Sequence, residues 1–371
     1  MNSPKKTIRS TCILAAAILP GIVFLCIPRI MLHYPDLSEA YALHIFPWIS
    51  KPGIFINSLF PVSLSEIFVV FMALSGILWL IWLFLRLYRS KNRKHFLYRT
   101  FLIAEIVFSV ASASFTFMHG INYTRQPLTN SLSLHPAKRD AADLIEVSAW
   151  LAGEMTDSRS QLPEDKIGCM MLQTTISQAL DDAQFQMDRA AKVFPVLAGN
   201  GVRAKPVALS HAWSYTGITG MYFPFFNEAN VNIDIPAMDL PMTICHEISH
   251  TRGIAREQDA NLAAFLACIS SDRPDFAYSG YEFAFLYCSS DLADADRDAY
   301  NKIIQQIPDG VYRDWLQENA YWAQFEGPVE QTSTTVNDSY LKANQQEAGV
   351  KSYSLVTDLI IDYYFTYVKG Q

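Results

Sequence analysis

Three long apolar runs open the chain, and shorter helical or alternating patterns fill the rest of it. The first run extends from Cys12 to about Leu32, behind a polar and basic start that holds Lys5, Lys6 and Arg9. The second, about 64–88, contains FVVFMALSGILWLIWLFL, and the third, about 101–118, carries Glu105 among many Ser and Ala residues. Apolar runs of this length match the roughly 30 Å hydrocarbon thickness of a bilayer rather than a buried core helix. A secretory signal would also start with a basic stretch and an apolar run. No small-x-small cleavage pattern follows here, however, and two more spans come after, so a retained anchor is expected. Glu105 reads as a polar contact inside the helix bundle or near its interface.

Between the first two spans, residues 33–63 read as a loop rich in Pro, Tyr and Phe, and residues 119–138 have the turn character of a linker. Asp140–Glu154 places Leu144, Val147, Trp150 and Leu151 at helical spacing, and Thr175–Phe194 passes the same test, so both stripes are expected to face a core. From Lys205 to Pro236 the pattern shortens to the strand-like runs KPVAL, GMYFPFF and NVNIDIP, with Gly217, Gly220 and Asn227 between them. The alternation in NVNIDIP suits an edge strand that could pair with an extended peptide, and equally an ordinary half-buried strand. After Cys268 the chain reads as helical to its end, without repeats or low-complexity segments.

Charge orients this arrangement. Residues 1–99 hold 11 Lys/Arg against 3 Asp/Glu, which leaves 18 basic and 33 acidic residues in the remainder. So acidic a C-terminal part excludes nucleic acid as a partner. Half the residues are apolar and 18% are charged, a balance that points to a membrane protein. The N-terminus and the loop with Arg86, Arg89, Lys91, Arg93, Lys94 and Arg99 are basic, whereas loop 33–63 has little positive charge beyond Lys51. The positive-inside rule then keeps the N-terminus in the cytoplasm and sends everything after residue 119 outside the cell membrane.

The candidate chemistry lies in Thr243–Cys268, which contains His246, Glu247 and His250 in the order H-E-x-x-H. On a helix the two histidines lie one above the other and can share one Zn²⁺, while Glu247 is turned aside, where it can reach a water rather than the ion. Leu240-Pro241 opens such a helix and Gly253 sits where a C′ glycine would stop it. A second helical pattern then places Glu257 and Asn261 four residues apart on one face, so Glu257 becomes the expected third ligand, with Asp259 and Glu282 as the other nearby carboxylates. The competing reading is a chance motif, or a site that binds metal without turnover.

Glu257-Gln258-Asp259-Ala260-Asn261 resembles the E-x-x-A-[DN] third-ligand helix of membrane gluzincins such as the HtpX and CAAX prenyl peptidases and, less closely, that of the ImmA/IrrE proteins. In those families the first Glu completes the zinc site, a role the resemblance would carry to Glu257, although they place many more residues between the two motifs. More closely, GMYFPFFNEANVN, LPMTICHEISHTRGIARE and YLKANQQEAGVKSYSLVTDLI resemble a bacterial family filed as domain of unknown function thirty-eight-ten. That resemblance spans nearly the whole chain and implies a membrane-anchored, zincin-like protein without naming a substrate.

The expected architecture is an α+β fold. It has a three-helix transmembrane region over 1–118, a linker over 119–138, and a mainly helical zincin-like metallopeptidase domain with a small sheet over 139–371. Zn²⁺ on His246, His250 and Glu257, with Glu247 as general base, would hydrolyse a peptide or protein substrate. Asn261, Asp259 and Glu282 are candidates to orient the imidazoles, and Tyr353, Tyr340, Arg252 and His211 are candidate oxyanion donors. The alternative class is a non-catalytic zinc-binding sensor or scaffold. Cys12 and Cys26 fall in the first span, and Cys169, Cys245, Cys268 and Cys288 in the outer domain, where three pairings are open; Cys245 reads as structural.

Overall fold

The structure, a computed structural model, describes residues 4–90, 92–134, 140–353 and 355–370, with side chains from Ala16 onward except those of Ala17 and Tyr353. It is mainly helical with one small sheet, as the α+β expectation requires. The first helices are α1 (Pro4–Met31), α2 (Pro35–His44), α3 (Phe46–Ser58), α4 (Leu64–Arg89) and α5 (Arg93–Met118). Among the described residues, α4 and α5 are long and apolar enough to cross a membrane, and the end of α1 joins α2 across a 111° bend as a third, broken candidate. The apolar window of α4 has no residue buried by the rest of the chain, so most of its aliphatic and aromatic surface is exposed.

Residues 33–63 are not a loop, because Pro35 and Pro47 sit in first turns, where a fixed φ and a missing N–H start helices instead of breaking them. Nor does 119–138 behave as a linker. Residues 120–124 form a fully buried 3-10 turn, and α6 (Leu128–Ser131) follows with Leu128 and Thr129 in the interior. Residues 135–138 of that stretch lie outside the described residues.

The C-terminal part begins with α7 (Ala141–Arg159) and α8 (Ile176–Val193), each started by a capping box, from Asp140 and from Thr175. A three-stranded sheet follows, built from β1 (Lys205–Pro206), β2 (Gly220–Phe223) and β3 (Glu228–Val231), with α9 (Ser210–Ser214) between β1 and β2. Its order is β1-β3-β2, with β2 antiparallel and β1 parallel to β3. NVNIDIP is therefore not an edge strand. Its strand portion belongs to the fully buried central β3, and the edge nearest the H-E-x-x-H helix is β2. Both faces and both edges of β3 are covered, which its alternating pattern alone did not disclose.

The remaining helices are α10 (Leu240–Thr251), α11 (Glu257–Ile269), α12 (Pro274–Ala295), α13 (Arg297–Ile304), α14 (Asp309–Trp322), α15 (Pro328–Ala343) and α16 (Val356–Tyr363). Apolar all round, α11 is the central post, with Leu262 to Cys268 fully buried. Val147, Leu151 and Met155 of α7 and Leu180, Ala183 and Met187 of α8 share its core.

The sheet is fastened to the top of α4. The Glu228 carboxylate of β3 accepts from the Leu64 and Ser65 N–H groups at 3.2 and 2.7 Å, capping the helix with a negative charge, and Ser63 bonds Asn230 at 2.6 Å. The third tie runs through Arg125, which pairs with Glu39 of α2 at 2.7 Å and donates to the Gly253 carbonyl at 2.8 Å.

Candidate functional site

His246, Glu247 and His250 lie on α10, and Glu257 opens α11 after a tight reversal. The reversal has the hydrogen bonds of a Schellman turn. The Gly253 N–H reaches His250 O at 3.0 Å, the Ile254 N–H reaches Ser249 O at 3.2 Å, and Gly253 sits at φ +81°. A side chain there would meet both that left-handed backbone and the Phe46 ring, 3.1 Å from where its Cβ would lie.

This turn brings Glu257 Oε2 to 3.2 Å from His246 Nε2 and 3.6 Å from His250 Nε2, with the two Nε2 atoms 3.0 Å apart. Donor atoms around a tetrahedral zinc at about 2.0–2.1 Å stand about 3.3–3.4 Å from one another, so the triangle has the size of one shared ion's ligand set. It is the only group of His, Cys, Asp and Glu among the described residues with ligand atoms so close together.

The opposite ring nitrogens are held. His250 Nδ1 lies 2.7 Å from Ile254 O, and a carbonyl only accepts, so Nδ1 carries a hydrogen and Nε2 is the ring nitrogen that faces Glu257. His246 Nδ1 stands 2.7 Å from Asn261 Oδ1, which can orient it in the same sense.

Burial raises the Glu257 pKa, but the neighbouring His250 and His246 outweigh it and hold the carboxyl well below its usual range. Burial lowers His250, and the Glu257 charge outweighs that in turn and lifts the imidazole to about 9. A proton and a divalent cation are thus alternative ways to compensate the same buried carboxylate. Glu247 stands outside the triangle, with its Oε2 buried and without a hydrogen-bond partner. Burial pushes its pKa up to about 7 against the opposing pull of the two imidazoles. The space for its carboxylate comes from β2, because a Cβ on Gly220 would lie 2.5 Å from Glu247 Oε1.

An aromatic wall closes the other side, and the sequence reading singled out Tyr340 of it but missed His119, Tyr123 and Tyr222. The His119 ring, directly after α5, lies 6.0 Å from that of His250 and 5.0 Å from that of Tyr222, and its Nε2 is 3.0 Å from the Tyr123 hydroxyl. Burial, with the His250 charge adding to it and Glu257 opposing, lowers His119 to about 3 and keeps it neutral. Tyr340 of α15 bonds Tyr123 beside Glu257, and burial of its hydroxyl end pushes the phenol up to about 12. The one signal in the sequence for His119 was a histidine at the mouth of a span, in a segment read as linker.

The other candidates are distributed as follows. Asn261 joins the site, and of the expected oxyanion donors with described side chains Tyr340 is the one brought to it. Asp259 instead pairs with Arg256 at 2.7 Å, and Glu282 accepts from Trp315 Nε1 at 2.8 Å beside Asp239 and Glu318, where burial raises its pKa. His211 is exposed and pairs with Asp234 at 2.8 Å. Arg252 turns away to Leu197 O and Asp188 at 2.9 and 2.7 Å. The Tyr353 and Cys12 side chains are not among those described, and the described cysteine side chains are free thiols, with Cys245 fully buried as a structural residue would be.

No curated protein and no solved structure matches the chain. The family model described as protein of unknown function (DUF3810) matches residues 41–361, from within α2 to within α16.

Proposed function

Because the chain belongs to the DUF3810 family, whose description carries no activity, we propose from the site itself that it is a membrane-anchored, zinc-dependent peptidase with a zincin-like catalytic centre. The observation that carries this reading is the convergence of His246 Nε2, His250 Nε2 and Glu257 Oε2 within 3.0–3.6 Å, beside a carboxylate that takes no part in the triangle. A zinc ion held by those three atoms would supply the Lewis acid that polarises a peptide carbonyl and acidifies a water.

This chain's own residues would do the rest. With a pKa near 7, Glu247 can take one proton from the attacking water at neutral pH and return it to the departing amine, so the proton count closes over the two steps. Asn261 and Ile254 O hold the imidazoles in register, and Gly220 leaves Glu247 room under β2. The open edge of β2 would offer main-chain pairing to an extended peptide, and Tyr340, close enough to Glu257 to feel its charge, would be the hydroxyl that stabilises a developing oxyanion.

Orientation follows from charge. Arg86, Arg89, Arg93, Lys94 and Arg99 gather at the end of the α4–α5 hairpin away from the site, which the positive-inside rule assigns to the cytoplasm. The site then faces outward from the cell membrane, and reporter fusions after residue 125 are expected to be active only outside.

The test compares zinc content and cleavage of a peptide library by the purified full-length protein and its Glu247→Gln variant. Both are expected to bind zinc, with turnover lost by about two orders of magnitude or more in the variant. Equal turnover, or stoichiometric zinc in both with no cleavage in either, defeats the peptidase reading in favour of a zinc-binding sensor or scaffold.

A further inference from the structure

Resting on that reading, we infer that the site draws its substrate from the membrane surface. The substrate would be an extended outer segment directly adjoining a membrane span of another polypeptide, laid along β2. The inference comes from where β2 begins and ends. At one end Gly220 lies against Glu247, so a chain paired with this edge passes over the reacting group. At the other end the Phe223 and Phe226 rings sit 5.9 and 5.6 Å from that of Phe68 in α4, and the Tyr222 hydroxyl donates to the carbonyl of Met118, the last residue of α5, at 3.2 Å.

The depth of Phe68 can be read from α4. Glu66 is the last charged residue before Arg86, and its carboxylate accepts from the Ala208 and Leu209 N–H groups of the outer part at 2.8 and 2.7 Å. The polar boundary therefore falls between Glu66 and Ile67. At 1.5 Å per residue, the uncharged stretch 67–85 is about 28 Å long, the thickness of a bilayer core. Phe68 is just inside that core, so β2 starts at the bilayer surface and climbs towards the site. From Phe223 to Gly220 an extended strand rises about 10 Å at about 3.3 Å per residue.

The surroundings fit the same level. Met221 and Phe225 of the β2 region and Trp48, Phe55, Leu59 and Phe60 of α3 and its end are exposed, and α3 is pressed against the β2–β3 turn through Asn57, which donates to Phe226 O at 3.0 Å. Apolar and aromatic side chains gathered beside a span are stable where headgroups meet hydrocarbon. A free peptide must cross that rim to reach β2, whereas a segment tethered to a span is already there at roughly millimolar effective concentration.

The test uses the full-length protein in nanodiscs with zinc and three probes. One is a Lys-flanked Leu/Ala span carrying a randomised cassette directly at its outer end. The second carries the same cassette beyond a Gly/Ser spacer of about 30 residues, which lifts it by roughly 30 Å. The third is the cassette as a free peptide. Cleavage is read by mass spectrometry, and binding, independently of turnover, by a photo-crosslinker at Met221 in the Glu247→Gln background. The span-adjacent cassette is expected to be cut and crosslinked about tenfold or more in preference to the other two, with cuts about three residues from the span. Cleavage of all three at similar rates overturns the membrane-surface inference while leaving the peptidase intact. Selective crosslinking of the adjacent cassette without cleavage by the wild type supports the inference and defeats the peptidase reading instead. No preference in either measurement overturns the inference.

Discussion

At the scale of single residues the site makes sharp distinctions among carboxylates that the sequence leaves equivalent. Glu257 Oε2 is shared between two imidazoles, whereas Asp259 is occupied by Arg256 and Glu282 by Trp315. Glu257→Ala is therefore expected to lose zinc as severely as His250→Ala, with Asp259→Ala and Glu282→Ala keeping it. Metal content after dialysis checks this, and full zinc in Glu257→Ala would remove the residue from the ligand set. Glu247 allows a second check, in the metal-free protein. Its folded pKa of about 7 exceeds the unfolded value of 4.5, so its ionisation works against folding. That cost is absent below pH 4.5, grows as pH rises, and is complete above about 7. Metal-free Glu247→Gln should thus melt at the wild-type temperature near pH 4.5 and above it at pH 8, a trend that melting curves across the range would reveal. A constant offset at all pH values would show that Glu247 is not a strained acid.

Among the elements, the decisive ones are the α10–α11 reversal and β2. Gly253 makes the first possible, and the second approaches α10 so closely that a Cβ on Gly220 would lie 2.5 Å from Glu247 Oε1 and push that side chain aside. Gly220→Val suits a strand by propensity but drives a side chain into the Glu247 carboxylate, a clash worth about 1–3 kcal/mol where the interior cannot yield. The expected outcome is zinc retained on His246, His250 and Glu257, with turnover reduced about a hundredfold through the displaced base. Paired zinc and rate measurements decide it, and a Gly220→Val protein with wild-type turnover would show that β2 does not confine Glu247.

For the whole molecule, the N-terminal helices α1–α5 and the part that follows them are one construction. His119 and Tyr123 wall the site, Phe46 covers Gly253, Arg125 ties Glu39 to the ligand turn, and Glu228 caps α4. A fragment over 139–371 lacks all of these except Glu228, which loses the helix it caps. Expressed alone it should bind zinc more weakly than the full-length protein by about tenfold or more and unfold at a lower temperature. Chelator competition and thermal melts on both proteins would test this, and equal values would restore the picture of a separable domain on an anchor.

What the sequence by itself determined is what local physics encodes. Uncharged runs of bilayer length, capping signals at Asp140 and Thr175, the i,i+4 histidines and the glycine after them are all short-range patterns, and the helices and the turn form where they predict. The pairing of Glu257 and Asn261 on one helical face was legible for the same reason. Only the tertiary structure could decide contacts between segments far apart in the chain. Nothing local to NVNIDIP tells a central strand from an edge strand, since that depends on β1 and β2 closing on its two sides. Nothing local to residues 33–63 or 119–134 marks them as packed, because their prolines and turns are common to loops and to helix starts. His119, Tyr123 and Tyr340 meet beside Glu257 only because a span end, a buried 3-10 turn and a C-terminal helix converge there, and convergence is a property of packing that no periodicity along the chain records.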